Sequence, residues 1–140
     1  MALESTGRAH WEGDLQTGSG TVSFDTGALA TVPVTWRARS ETHDGVTSPE
    51  ELIAAAHAAC FSMALSNGLA KAGHAPASLD VTATATFVAG TGITGMAIKV
   101  TGDVPGMSEG DFRAAAEAAK EGCPVSQALK GNVPITLEIG

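Results

Sequence analysis

The chain has 140 residues, 44% of them hydrophobic but only 4% aromatic, and its 15 acidic against 8 basic side chains give a formal net charge of -7. That length suits a single domain, 1–140, which can bury roughly two thirds of its unfolded surface and needs no disulfide staple. Its core must be made mostly of Ala, Val, Leu and Ile, while the acidic balance repels a polyanion and excludes nucleic acid as an expected partner.

The N-terminus, MALESTGRAHWEG, has no basic start followed by an apolar run, so no secretory signal is read there and a cytoplasmic location is expected. In that reducing compartment the two cysteines should rest as thiols. TVSF and VPVTWRARS carry β-branched residues, and Gly18, Gly20 and the Asp25-Thr26-Gly27 turn break the chain around them. We read a three-stranded meander, with Trp36-Arg37-Ala38-Arg39 at the end of its third strand.

Thr47-Ser48-Pro49-Glu50-Glu51 then opens a helix: Ser48 can cap it, Pro49 suits its first position and Glu51 completes a capping box. Gly73 should end it. Its most apolar part, Leu52 to Leu65, holds His57 and Ser62 and is shorter than the roughly 20 apolar residues a bilayer requires. The reading is a helix buried inside the protein, with no membrane role.

Leu79, Val81, Ala83, Ala85 and Phe87 alternate with Asp80, Thr82, Thr84 and Thr86, the period of a strand with one buried face. Met96 to Thr101 supplies its hairpin partner. Ser108, followed by Glu109 and Asp111, opens a second helix that Gly122 stops; Cys123-Pro124 opens a short third one through Lys130, and Val133 to Ile139 closes the chain as a strand. The order βββ, α, ββ, α, α, β indicates an α+β domain with antiparallel sheet.

By itself, Cys60 inside an apolar helix reads most simply as a small buried hydrophobe. The field of that helix acts only near its ends, so a thiolate there needs a cation from elsewhere. Cys123, at the cap of a helix that starts with Pro124, lies where free N–H groups favour a thiolate, or else marks only a tight Gly-Cys-Pro corner.

TSPEELIAAAHAACFSMALS, GCPVSQALKGNVPITL and the N-terminal GRAHWEGD closely resemble the osmotically inducible protein C (OsmC) family, the sister group of the organic hydroperoxide resistance (Ohr) proteins. The resemblance runs from about Gly7 to Leu137 and favours the OsmC branch. It implies antiparallel sheets wrapped around a long central buried helix in an intertwined homodimer, and a thiol-dependent hydroperoxide reductase acting in oxidative stress defence.

Carried onto this sequence, the family's attacking cysteine is Cys60 and its resolving cysteine Cys123; its glutamate is Glu50, and its arginine Arg39, with Arg37 the alternative in register. Period-two alternation puts both arginines on one strand face, opposite Val32, Val34 and Trp36.

A free thiol has a pKa of about 8.5, so a guanidinium beside the sulfur would favour the reactive anion. Arg39 would do this and would bond the peroxide oxygen as charge builds on it, with Glu50 holding the guanidinium in a bidentate pair. The sulfenic acid formed at Cys60 would condense with Cys123 to a disulfide. An external dithiol would reduce that, lipoyl-type in the Ohr branch and unnamed for the OsmC branch. The expected substrate is an organic hydroperoxide, and no metal, flavin or haem cofactor is required.

His57, three residues before Cys60, raises a cysteine–histidine hydrolase as a competitor, but it reads better as a core histidine bonded to a carbonyl. A metal site from Cys60, Cys123 and His57 lacks the close ligand pairs of structural zinc sites. The alternative from another class is a non-catalytic thiol redox sensor or binding module on the same fold.

Overall fold

The computed structural model describes residues 1–140. The chain forms two compact units, Met1–Pro49 and Glu50–Gly140.

In the first unit, β1 (Gly7–Glu12), β2 (Ser19–Phe24) and β3 (Val32–Val34) form the expected antiparallel meander. Arg8 ties the open end of its first hairpin to Asp25, with Nε and Nη2 donating to the two carboxylate oxygens at 2.7 and 2.9 Å.

The third strand is shorter than expected, and this moves both candidate arginines. After Val34 the chain enters a short helix, α1 (Trp36–Ser40), because the Thr35 hydroxyl caps it by accepting from the Ala38 N–H at 3.1 Å. Arg37 and Arg39 therefore sit on a helix and not on a strand end. Residues two apart on a helix point about 200° apart, so the single face drawn from strand alternation is wrong. Arg37 is exposed and Arg39 half-buried.

The second unit is built on α2 (Pro49–Lys71), a helix of 23 residues that begins at the expected Pro49. Gly73, at φ 86, reverses the chain, and its N–H and that of His74 satisfy the carbonyls of Ala70 and Leu69. Next come β4 (Ser78–Val88) and β5 (Gly92–Asp103), an antiparallel hairpin, and β6 (Ile135–Ile139), which joins β5 in parallel. The sheet is therefore mixed. The parallel join is possible because α3 (Glu109–Gly122) and α4 (Pro124–Leu129) carry the chain back between β5 and β6. Ser108 caps α3 as its sequence implied, accepting from the Asp111 N–H at 3.1 Å.

The core of this unit gathers Phe61, Leu65 and Leu69 of α2, Ile98 and Val100 of β5, Ala116 and Ala119 of α3, and Cys123. On β4 the alternation holds throughout, Leu79, Val81, Ala83, Ala85 and Phe87 being half-buried between exposed polar neighbours.

The long helix is not covered all round. Its buried residues, Glu50, Ala54, His57, Phe61, Leu65 and Leu69, recur at three- and four-residue steps and make one stripe. Ala55, Ala56, Ala59 and Met63 lie exposed, Met63 by 72%. By length and composition the helix could cross a membrane, with a mean hydropathy of 1.4 over its most apolar window, yet only 22% of that window is buried in the chain. The apolar character extends well beyond the face that the single chain covers.

Candidate functional site

Two helices bring the cysteines together. Cys60 lies on α2, one turn after His57 and beside Phe61 of the core stripe, which turns its sulfur toward the start of α4. Cys123 ends α3 and starts α4: its N–H bonds the Ala119 carbonyl at 2.9 Å, and its own carbonyl accepts from the Gln127 N–H at 2.9 Å. Pro124 takes the first position of α4, where its missing N–H costs nothing.

Both cysteines are free thiols, Cys60 half-buried and Cys123 fully buried. Cys60 packs against the core cluster that includes Cys123, and both the Cys123 side chain and the Val125 N–H bear on its thiol. Burial pushes the Cys60 thiol above its ordinary value, and the neighbouring Cys123 pushes the same way. The Val125 amide opposes both by stabilising the anion. The free amide of α4 thus serves Cys60, whereas the sequence suggested that this helix start would serve Cys123. Within the second unit burial dominates, which leaves Cys60 mostly protonated at neutral pH.

His57 is fully buried, and its Nε2 lies 2.8 Å from the Ser126 hydroxyl of α4. Its partner is therefore this side chain and not the carbonyl expected for a core histidine. Burial pulls the imidazole below its ordinary value, so it is neutral near pH 7. Ser126 is itself buried. It stands within the stretch GCPVSQALKGNVPITL, where the sequence alone assigns it no part. The available signal was its place in the first turn of a helix that starts at Pro124, on the Cys123 side of the molecule.

The remaining candidates divide between the units. Glu50 is buried in the first turn of α2, ten positions before Cys60, a separation of about 15 Å along a straight helix. On α1, Arg37 is engaged with Glu41 at 3.7 Å and Asp44 at 3.4 Å, whereas Arg39 is half-buried. No three His, Cys, Asp or Glu side chains gather as a metal-binding set.

Residues 42–138 match the family described as OsmC-like protein. The chain belongs to that family. It is 46% identical to peroxiredoxin OsmC of Escherichia coli over 99% of both chains. It is 33% identical to organic hydroperoxide resistance protein OhrA of Bacillus subtilis over 72% of each. Among solved structures it resembles an organic hydroperoxide resistance protein OsmC of Legionella pneumophila, with a TM-score of 0.77 at 25% identity, covering 100% of this chain and 98% of that one. The α+β fold with its long helix is thus that of OsmC and Ohr proteins. The higher identity and fuller coverage lie on the OsmC side, the branch toward which the N-terminal motif pointed.

Proposed function

We propose that this protein reduces organic hydroperoxides by a two-cysteine mechanism and so defends its cell against oxidative stress. The coarse assignment, a cysteine-based peroxidase, follows from 46% identity to a peroxiredoxin over 99% of the chain and from the matches to hydroperoxide resistance proteins. The observation that carries the finer reading is that Cys60 and Cys123, from separate helices, share one packed core, Cys60 lying against the cluster that includes Cys123.

In the first step the Cys60 thiolate attacks a peroxide oxygen: an S–O bond forms, the O–O bond breaks, and the alkoxide leaves as the alcohol on taking a proton. The Cys60 sulfenic acid is then attacked by the Cys123 thiolate; the S–S bond forms, the S–O bond breaks, and the hydroxide leaves as water on taking the proton that the Cys123 thiol released. An external dithiol reduces the disulfide by exchange and returns both thiols.

Arg39 supplies the positive charge that the Cys60 thiolate requires, and Glu50 orients the guanidinium. Arg39 is preferred to Arg37 because it is half-buried, whereas Arg37 is exposed and screened by water. Since Glu50 and Cys60 lie about 15 Å apart along one helix, we place them in one site by pairing two chains as a homodimer, α2 antiparallel to its partner about a twofold axis near Ala55. The exposed Ala55, Ala56 and Ala59 permit close approach of the two helices, and the uncovered apolar face is better explained by a second copy than by a membrane. A site lined by small and aliphatic side chains favours bulky alkyl peroxides over hydrogen peroxide.

The test is turnover of cumene hydroperoxide with a dithiol reductant present. Many equivalents consumed per chain support the reading. Consumption that stops at one equivalent would instead identify a redox sensor.

A further inference from the structure

We propose that His57 and Ser126 are positioning residues that clamp the resolving-cysteine helix against the attacking-cysteine helix, and so set the rate at which the disulfide closes. The inference rests on the two-cysteine reading above. His57 stands three residues before Cys60 on α2, and Ser126 three residues after Cys123 on α4, so their 2.8 Å bond links the two helices beside the sulfurs. Each cysteine is one turn from one end of the bond.

Both groups are buried, His57 completely and Ser126 to 3% exposure. A buried bond of this kind is little loosened by water and holds its geometry. The His57 Nδ1 is also buried and has no hydrogen-bond partner. Because an unpaired acceptor is tolerated better than an unpaired N–H, we assign the proton to Nε2, which donates to the Ser126 oxygen.

An orphaned polar atom carries a stability cost that an apolar side chain of similar volume would avoid. Stability alone would therefore select a leucine or phenylalanine at position 57. What the histidine adds is a directional tie. It fixes the start of α4 where Cys60 and Val125 pack against the core cluster that includes Cys123. Attack on the sulfenic acid needs the incoming sulfur held close and in line, and small displacements of such groups slow a reaction strongly.

Neither side chain takes part in the first step, so the clamp acts on the second. The experiment mixes reduced full-length protein with one equivalent of cumene hydroperoxide, quenches at intervals, and uses mass spectrometry to count sulfenic acid, sulfinic acid and disulfide. Ser126→Ala is expected to form the sulfenic acid at the wild-type rate, to close the disulfide about three- to tenfold more slowly, and to accumulate sulfinic acid when peroxide is in excess. Ser126→Thr, which keeps the hydroxyl, should restore closure. His57→Phe, which fills the space without a donor, should show the same split with Ser126 intact, and it decides the matter if Ser126→Ala does not fold.

Closure at the wild-type rate in the folded variants, with no added sulfinic acid, overturns the clamp. So does equal slowing of both steps. The wild-type trace separates the two proposals: a protein that consumes peroxide without forming a Cys60–Cys123 disulfide refutes the two-cysteine reading itself and the clamp with it.

Discussion

Replacing Met63 tests whether the uncovered face of α2 is an interface. In the single chain Met63 is 72% exposed, and a surface substitution away from caps and buried networks changes stability by about 0.5 kcal/mol or less. In the proposed homodimer the same side chain lies on the helix face that packs against its partner. Full burial of a methionine is worth about 1.5–3 kcal/mol. With about three quarters of the side chain still to be covered, Met63→Ala should forfeit about 1–2 kcal/mol per protomer.

Twofold symmetry doubles that to about 2–4 kcal/mol per dimer, which weakens association about 30- to 700-fold. Met63→Glu should be worse, because a carboxylate would be buried without a partner. Sedimentation across a concentration series measures the shift directly, and the concentration dependence of thermal unfolding expected of the wild-type dimer should disappear in variants that no longer associate. A wild-type protein that is monomeric at micromolar concentration, or variants that sediment as the wild type does, would refute the reasoning.

Leu65, two positions further along and fully buried in the core of the second unit, should behave oppositely: Leu65→Ala should cost about 3–5 kcal/mol in denaturant unfolding whatever the oligomeric state. If Arg39 serves Cys60 as proposed, Arg39→Ala should raise the pH at which Cys60 becomes reactive to iodoacetamide, while Arg37→Ala should leave it unchanged. Mixed Glu50→Ala and Cys60→Ser chains, each inactive alone, should regain activity at one site per heterodimer after refolding together; inactivity of proven heterodimers would exclude the shared site.

His57 makes stability depend on pH. Its imidazole titrates below the ordinary 6.5 in the folded chain, so the unfolded chain binds the extra proton first as pH falls. Stability should therefore decline from about pH 6.5 downward, by at most about 1.4 kcal/mol per pH unit. Denaturant midpoints in His57→Gln should lose that component of the slope.

Several parts of this protein are decided locally, and those parts were legible in the residues. Ser108 before Glu109 and Asp111, Pro49 after Ser48, and the alternation from Leu79 to Phe87 set capping, helix starts and strand faces through neighbours a few positions away. The paired cysteine motifs carried the family, because both stretches stand unbroken in the chain.

The errors arose where local signals compete. Val-Pro-Val-Thr-Trp-Arg-Ala-Arg reads as a strand by its β-branched start, yet the Thr35 cap turns its second half into a helix and separates Arg37 from Arg39. Parallel pairing of β6 with β5 follows from the path of α3 and α4, which no short window contains.

The contacts on which the chemistry would depend belong wholly to tertiary structure. Cys60 and Cys123 lie far apart in sequence, as do His57 and Ser126, and only the packing of α4 against α2 brings the first pair into one core and the second within hydrogen-bonding reach. Apolar period could say that α2 must be covered. Which of its faces the chain's own sheet covers, and which it leaves bare, depended on how much surface β4, β5 and β6 offer to one side of a helix.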